Sequence, residues 1–348
     1  MTSGRTGSPT VRLVTIIDAE QLRGLVSMPD AIESSRRAFL ADARGEVSSP
    51  LRSSMSRERA LVMTAEHESG SAILKLLNVS GAPGDSRTNI TGVVLWLDAA
   101  EGQVTVLVDG ASLTALRTGA ASGLATDLLA KPESVVMAML GSGGQASDQI
   151  AAICAVRPIE EVRVHSRHLD RSRDLCRRLN QGSDGVVYRA VETSREAVHG
   201  ADVICAATRA QSPLFEMRDL ESHVHINAVG AFRPDMREVS TEVFGTARLV
   251  VIDQLAAIQA EAGDLVAALR EGALLETDLV ELGELLKSPR PLGQGHTVFK
   301  SVGIAAQDWA ITDLVVRLAR SAGLVPELDR ISPSVAVSTG APISATAR

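Results

Sequence analysis

Two stretches of this 348-residue chain carry residue types that do chemistry in particular surroundings. In AILKLLNV, residues 72–79, Lys75 interrupts an apolar run. An ammonium in that position loses hydration unless it is paired or used, so it is either a carboxylate anchor or proton carrier, or a strand-edge lysine reaching out to water. In the second stretch, VVMAML runs into Gly141-Ser142-Gly143-Gly144-Gln145-Ala146, a G-x-G-x-x-A turn at the mouth of a helix. Its first glycine permits the tight turn, its second lets backbone N–H groups approach a pyrophosphate, and the small Ala146 lets the helix pack on its strand. The motif alone is weak. Its context, a buried strand before it and the helix SDQIAAICAV and strand EVRVHS after it, raises it to a dinucleotide site. Where the second strand ends, a ribose 2′-OH calls for Asp or Glu, but here stand Ser166 and Arg167, with Arg171 and Arg173 behind. A hydroxyl and a guanidinium suit a 2′-phosphate, which favours NADP(H) over NAD(H).

These residues need elements to hold them. PDAIESSRRAFLADARGE, opened by Pro29 and Asp30, reads as a helix that buries Ile32, Phe39 and Leu40. RALVMTA, SAILKLLNV, TGVVLWLD and GQVTVLVD read as strands, the last two forming a hairpin across AAEG. A helix rich in small residues runs from Leu113 to Leu129 and stops at Lys131-Pro132-Glu133. From Ser134 the texture changes to apolar strands alternating with helices: VVMAML, EVRVHS, GVVYRA, ADVICAAT, HINAVG and RLVVID. Such strands imply a parallel sheet covered on both faces. KSPRPLGQGHTVFKSVG has no assigned element, and AAQDWAITDLVVRLARSAG is a final helix. The expected fold is α/β, with a Rossmann-type doubly wound parallel sheet over residues 130–315 inserted into an α+β unit formed by 1–129 and 316–348, whose ends at 1–10 and 333–348 are expected to be disordered.

Composition narrows the class of function. With 45% hydrophobic and 22% charged residues the chain is globular, and with 2% aromatics its core is aliphatic. The net charge of −7 and the lack of a long basic run argue against nucleic acid. No apolar run approaches the roughly 18 residues of a membrane span, and MTSGRTGSPT lacks the apolar core of a signal peptide. Cys154, Cys176 and Cys205 suggest neither a disulfide framework nor zinc, which fits a reducing cytoplasm. His223 and His225 alternate in HVHIN without an acidic or thiol cluster to complete a metal site. The expected ligand is small, and no metal is expected.

SSPLR, LVMTA, ILKLLNV, LTALRTGAAS, LGSGGQA, VHSR, CAAT, INAVGAFRPDMRE and VFKSVGIAAQDWA, in this order over roughly residues 15–320, resemble the ornithine cyclodeaminase/μ-crystallin family. The resemblance implies a homodimer formed through the first unit, which also holds an α-amino or α-imino acid. It places Arg52, Lys75 and Arg117 on the substrate carboxylate, with Met63, Phe232, Ser301 and Gly303 around it. It places Gly141, Ser142, Gly143, Gln145 and Ala146 on the pyrophosphate, Ser166 and Arg167 on the 2′-phosphate, and Thr118, Ala207, Thr208, Val229, Gly230 and Lys300 elsewhere along the nucleotide. Cyclodeaminases carry an Asp where this chain has Phe232, and an aromatic ring cannot act as acid or base, although Asp235 stands three residues on. The implied activity is NADPH-dependent reduction of a cyclic ketimine, Δ1-pyrroline-2-carboxylate or Δ1-piperideine-2-carboxylate, to the L-imino acid. The alternatives are an amino-acid dehydrogenase of alanine or opine type, an ornithine or lysine cyclodeaminase, and a non-catalytic nucleotide-binding protein.

Overall fold

The computed structural model describes residues 14–55, 60–80, 89–98, 103–182, 185–291 and 293–325; the expected disordered ends and the AAEG turn lie outside the described residues.

Period-two alternation builds the first sheet. Strands Thr15–Ile17, Gln103–Asp109, Asn89–Asp98, Ala72–Ser80, Ala60–His67 and Val47–Ser48 lie side by side in that order, and Ser53–Ser54 also pairs with Ala60–His67. All pairings are antiparallel except that of Thr15–Ile17 with Gln103–Asp109. In Ala72–Ser80 the residues Ile73, Lys75 and Leu77 are buried, whereas Leu74 and Leu76 face outward. Two helices cover the inner face: Ala305–Ser321 lies on the strands from 60 to 98, and Gly110–Leu129 lies beside it. Helix Met28–Ala43 packs across both. It is capped by Ser27, whose hydroxyl accepts from Asp30 N, with Pro29 in the first turn. Gly110–Leu129 starts three residues before the expected Leu113, because Asp109 caps it by accepting from Ser112 N.

The second sheet has eight parallel strands in the order Val187–Ala190, Glu161–His165, Val136–Leu140, Val203–Ala206, His225–Ala228, Thr297–Lys300, Leu249–Ile252 and Leu279–Glu281. Its central strands are buried along their whole length, as the uninterrupted apolar runs require. The order reverses between Val136–Leu140 and Val203–Ala206, so the glycine turn opens at the switch point where such sheets take their ligands. Thr297–Lys300 lies in a stretch the sequence left without an element, and it is a central strand here.

The chain leaves this sheet through residues 301–304 and returns to the first unit in one uninterrupted helix, Ala305–Ser321. Residue 316, where the first unit was expected to resume, lies in mid-helix. Helix Gly110–Leu129 locks the units together against Ala146–Val156, the helix that follows the glycine turn. Their backbones approach so closely that a Cβ on Gly119 would lie 2.5 Å from Asp148 O. Among the described residues, no helix is long and apolar enough to cross a membrane.

Candidate active site

Lys75 sits in the middle of an interior strand, and the alternation that buries Ile73 and Leu77 turns it inward. Its side chain is fully buried, which excludes the water-reaching alternative. Nζ donates to Asp308 Oδ1 at 2.7 Å, and Asp308 is fully buried as well. Arg117 approaches the same oxygen from helix Gly110–Leu129, with Nε at 3.4 Å, and its Nη1 donates to Gln307 Oε1 at 3.3 Å. Met63 is the cross-strand partner of Lys75 and is buried on the same face. Arg52 reaches the site's edge, where Nε donates to Glu261 Oε1 at 2.7 Å and Nη2 to Val302 O at 2.6 Å. The three expected carboxylate anchors therefore do converge.

Their electrostatics follow from burial. Desolvation brings the Lys75 ammonium down from 10.5 to about 8; Asp308 opposes the shift, while Arg117 and Arg52 add to it. Burial pushes the Glu261 carboxyl up, against the pull of Arg52. Arg117 Nε, Gln307 Nε2 and Asp308 Oδ2 are buried without a hydrogen-bond partner. Native interiors rarely leave polar atoms in that condition, and three at one spot mark a place for a polar ligand.

The loop between Thr297–Lys300 and the last helix is shaped to fit. Gly303 has φ +85°, and a Cβ there would lie 2.2 Å from Arg117 Nη1. Asp253 Oδ2 accepts from Ser301 Oγ, Val302 N and Gly303 N at 2.7–2.9 Å. Asp253 thus clamps the loop, and Gly303 leaves the space in which Arg117 is seated. Phe232 is half-buried and packs on the core. Asp235, the remaining carboxylate of that segment, is exposed and accepts from Arg233 at 2.7 and 3.0 Å, which holds it below the usual carboxylate range.

The residues expected along a nucleotide gather at the switch point. Gly141 has φ +114°, and a Cβ there would lie 2.7 Å from Ala207 O, whereas Gly143 and Gly144 face open space. That opening at a helix mouth fits a pyrophosphate, and Gln145 Oε1 beside it is buried and unpartnered. Ser142 Oγ donates to Ser166 Oγ at 2.9 Å, tying the turn to the end of the second strand. Arg167 is exposed and, among the described residues, has no hydrogen bond or ion pair. Thr118 is buried, with Oγ1 donating to Thr114 O at 2.7 Å.

Lys300, which the resemblance places along the nucleotide, has its side chain held inside the protein. Fully buried, it lies 3.0 Å from Asp264 Oδ1 and donates to Ala231 O at 2.7 Å. Glu238, also fully buried, accepts from Thr208 N at 2.5 Å, Gly230 N at 2.6 Å and Ala231 N at 3.0 Å. This network fixes the loops carrying Ala207, Thr208, Val229 and Gly230. The sequence reading missed Asp308, Gln307, Asp253, Glu261, Glu238 and Asp264; an acid in a helix's first turn, such as Asp308, is ordinary, so no local signal singled it out. His223 bonds Asp202 and His225 bonds Thr297 and Asn227; among the described residues no group of three or more His, Cys, Asp or Glu side chains could hold a metal ion.

Residues 14–322 match the model of the ornithine cyclodeaminase/mu-crystallin family. The chain belongs to this family. Other members are similar over most of their length. The Delta(1)-pyrroline-2-carboxylate reductase of Bacillus cereus is 32% identical over 320 residues, covering 89% of this chain and 98% of that protein. The ketimine reductase mu-crystallin of Macropus fuliginosus is 31% identical over 314 residues, covering 86% and 94%. The structure of Thermococcus litoralis Delta(1)-pyrroline-2-carboxylate reductase in complex with NADH and L-proline superposes with a TM-score of 0.83 at 29% identity, covering 90% of this chain and 100% of that one.

Proposed function

We propose that this family member is an oxidoreductase acting on C=N bonds, and that it reduces a cyclic ketimine carrying a carboxylate on the imine carbon, Δ1-pyrroline-2-carboxylate or Δ1-piperideine-2-carboxylate, to the L-imino acid. The observation that carries the reading is the buried Lys75–Asp308–Arg117 cluster, in which Arg117 Nε, Gln307 Nε2 and Asp308 Oδ2 have no hydrogen-bond partner. The similarity to pyrroline-2-carboxylate and ketimine reductases supports it. Phe232 in place of the cyclodeaminase carboxylate, with Asp235 turned to Arg233, argues against ring closure of ornithine or lysine.

A bound nicotinamide nucleotide supplies the hydride. Gly141, Ser142, Gly143, Gln145 and Ala146 would hold its pyrophosphate. Ser166 and Arg167, which has no partner among the described residues, support NADPH as the preferred form, whereas the Thermococcus enzyme was captured with NADH. Arg117 and Lys75 orient the substrate carboxylate, with Arg52 at the rim, and Met63 and Phe232 exclude water from the ring. Reduction turns C=N into CH–NH and needs one proton at nitrogen. The Lys75 ammonium provides it and regains one from solvent.

The protein acts as a homodimer in this reading. On the outer face of the first sheet, Leu74, Leu95, Leu107 and Ile16 are successive cross-strand partners, and Ile16 is 68% exposed. An apolar row on a sheet face calls for a cover, and a second copy supplies one of matching shape.

The deciding experiment follows nucleotide oxidation with both ketimines, NADPH beside NADH, and assays L-ornithine for proline and ammonia. Fast turnover of a ketimine with NADPH supports the reading. Silence with both ketimines, together with activity on ornithine or on pyruvate plus ammonia, overturns it.

A further inference from the structure

Lys75 is one of only four lysines in the chain, and the charges that face it can be enumerated. Asp308 comes from helix Ala305–Ser321, Arg117 from helix Gly110–Leu129 and Arg52 from the segment after Val47–Ser48. Its cross-strand partners, Met63 and Val94, are neutral. Glu261 and Asp253 stand further back, engaged by Arg52 and by the 301–303 loop. Among the described residues, Asp308 is therefore the single anion in direct contact with the ammonium.

The Asp308 carboxylate does little for the fold itself. Oδ1 takes Lys75 at 2.7 Å with Arg117 Nε 3.4 Å away, and Oδ2 has no partner. The neighbouring hydroxyl of Thr312 donates to the Asp308 backbone carbonyl, not to the carboxylate. A buried acid that accepts from Lys75 and faces Arg117 through the same oxygen, with no backbone N–H to cap, is placed for those two cations. We infer that Asp308 is the positioning residue for Lys75: it aims the ammonium into the substrate site and favours its protonated form before each proton transfer, without itself touching the substrate.

The sign follows from the charges. Burial and the two arginines drive the Lys75 proton off, and Asp308 holds it on. Neutralising Asp308 must lower the pH at which Lys75 deprotonates, so the variant's deficit grows as pH rises.

The inference rests on the ketimine reading only for its activity assay, so the test has two arms. The first labels lysine with 13C at Cε and follows the four side chains by NMR as a function of pH in the wild type, Asp308→Asn and Asp308→Glu, with the Lys75 signal assigned from its loss in Lys75→Gln. The second records kcat/KM against pH for the same proteins. In Asp308→Asn the Lys75 midpoint is expected to fall by at least one pH unit. With it, kcat/KM at pH 8.5 should fall about eightfold or more relative to the wild type, while below pH 7 the gap narrows; Asp308→Glu should restore most of both. If Asp308→Asn does not fold, Asp308→Ser serves in its place. An unchanged Lys75 midpoint in a folded, charge-neutral variant overturns the inference whether or not ketimines are substrates. So does an Asp308→Glu profile displaced as far as that of the amide. A wild type that turns over no ketimine but shows the expected NMR shift overturns the functional reading and leaves Asp308 as the residue that controls Lys75.

Discussion

Lys75 Nζ and Asp308 Oδ1 are 2.7 Å apart, one on a strand of the first sheet and the other on the helix that returns from the second, and neither side chain reaches solvent. Removing one partner of such a pair strands a charge in the interior, at a cost of about 3–5 kcal/mol. Lys75→Met is therefore expected to lower stability by that amount, and adding Asp308→Asn should recover much of it, measured by urea unfolding. Ketimine reduction should fall roughly 10²- to 10⁴-fold in both proteins, as when a positioned proton donor is lost. In the wild type the ammonium is the active form. Rate should therefore hold below about pH 8 and decline as pH rises through that value, where Lys75 loses its proton. A rate independent of pH from 7 to 9.5 would remove Lys75 from the proton's path.

Gly303 sets the position of Arg117. Alanine there would place a Cβ 2.2 Å from Nη1 and force a side chain into a left-handed backbone conformation at φ +85°. The guanidinium must move, and a displacement of about 1 Å can reduce a reaction on the order of 100-fold. Gly303→Ala should raise KM for the ketimine at least about tenfold by this argument, with the nucleotide dissociation constant unchanged in fluorescence titration. Equal losses for ketimine and nucleotide would point instead to collapse of the whole crevice.

Lys300 separates a structural role from a cofactor role. Its contacts are Asp264 and the Ala231 carbonyl, both inside the protein. Lys300→Met should cost about 3–5 kcal/mol through the stranded Asp264, with KM for NADPH changing less than about twofold in the protein that remains folded. Unaltered stability with a much higher KM for NADPH would return Lys300 to the nucleotide.

The parts legible in the sequence are those whose cause is local. The glycine turn follows a strand and opens a helix, so it could be read as a dinucleotide turn from residues 135–170 alone, and Lys75 was conspicuous by contrast with its apolar neighbours. Asp308, Glu238, Asp253 and Asp264 were not legible. Each sits in an ordinary polar setting along the chain and becomes a buried counter-charge or loop clamp only through tertiary packing. Thr297–Lys300 was missed because four apolar-flanked residues after a Pro- and Gly-rich stretch carry too little periodicity, and its partners at 225–228 and 249–252 are remote in sequence.

The nucleotide preference turns on Arg167. It is exposed, stands next to Ser166 at the end of strand Glu161–His165, and has no internal partner among the described residues. If it meets a 2′-phosphate, Arg167→Ala forfeits a charge-assisted contact of about 1.5–3 kcal/mol, or roughly ten- to a hundredfold in kcat/KM with NADPH. The value with NADH should stay within about twofold, since its ribose has no phosphate to lose. Equal reduction with both nucleotides would show that Arg167 does not read the 2′ position.

The outer face of the first sheet tests assembly without touching the site. Leu74 and Leu76 are each 40% exposed, and they neighbour Lys75 in sequence but project to the opposite side of the strand. Covered by a second copy, glutamates at these positions would be buried without partners, whereas on an open face they would be tolerated. Leu74→Glu combined with Leu76→Glu is therefore expected to convert a dimer into a monomer in sedimentation equilibrium. A dimer that persists in the double variant would place the contact elsewhere, and a wild type already monomeric would remove it altogether. Because the glycine turn and Ser166–Arg167 lie within one chain, NADPH binding should survive dissociation, while any loss of turnover would measure how far the second copy stiffens the strand that carries Lys75.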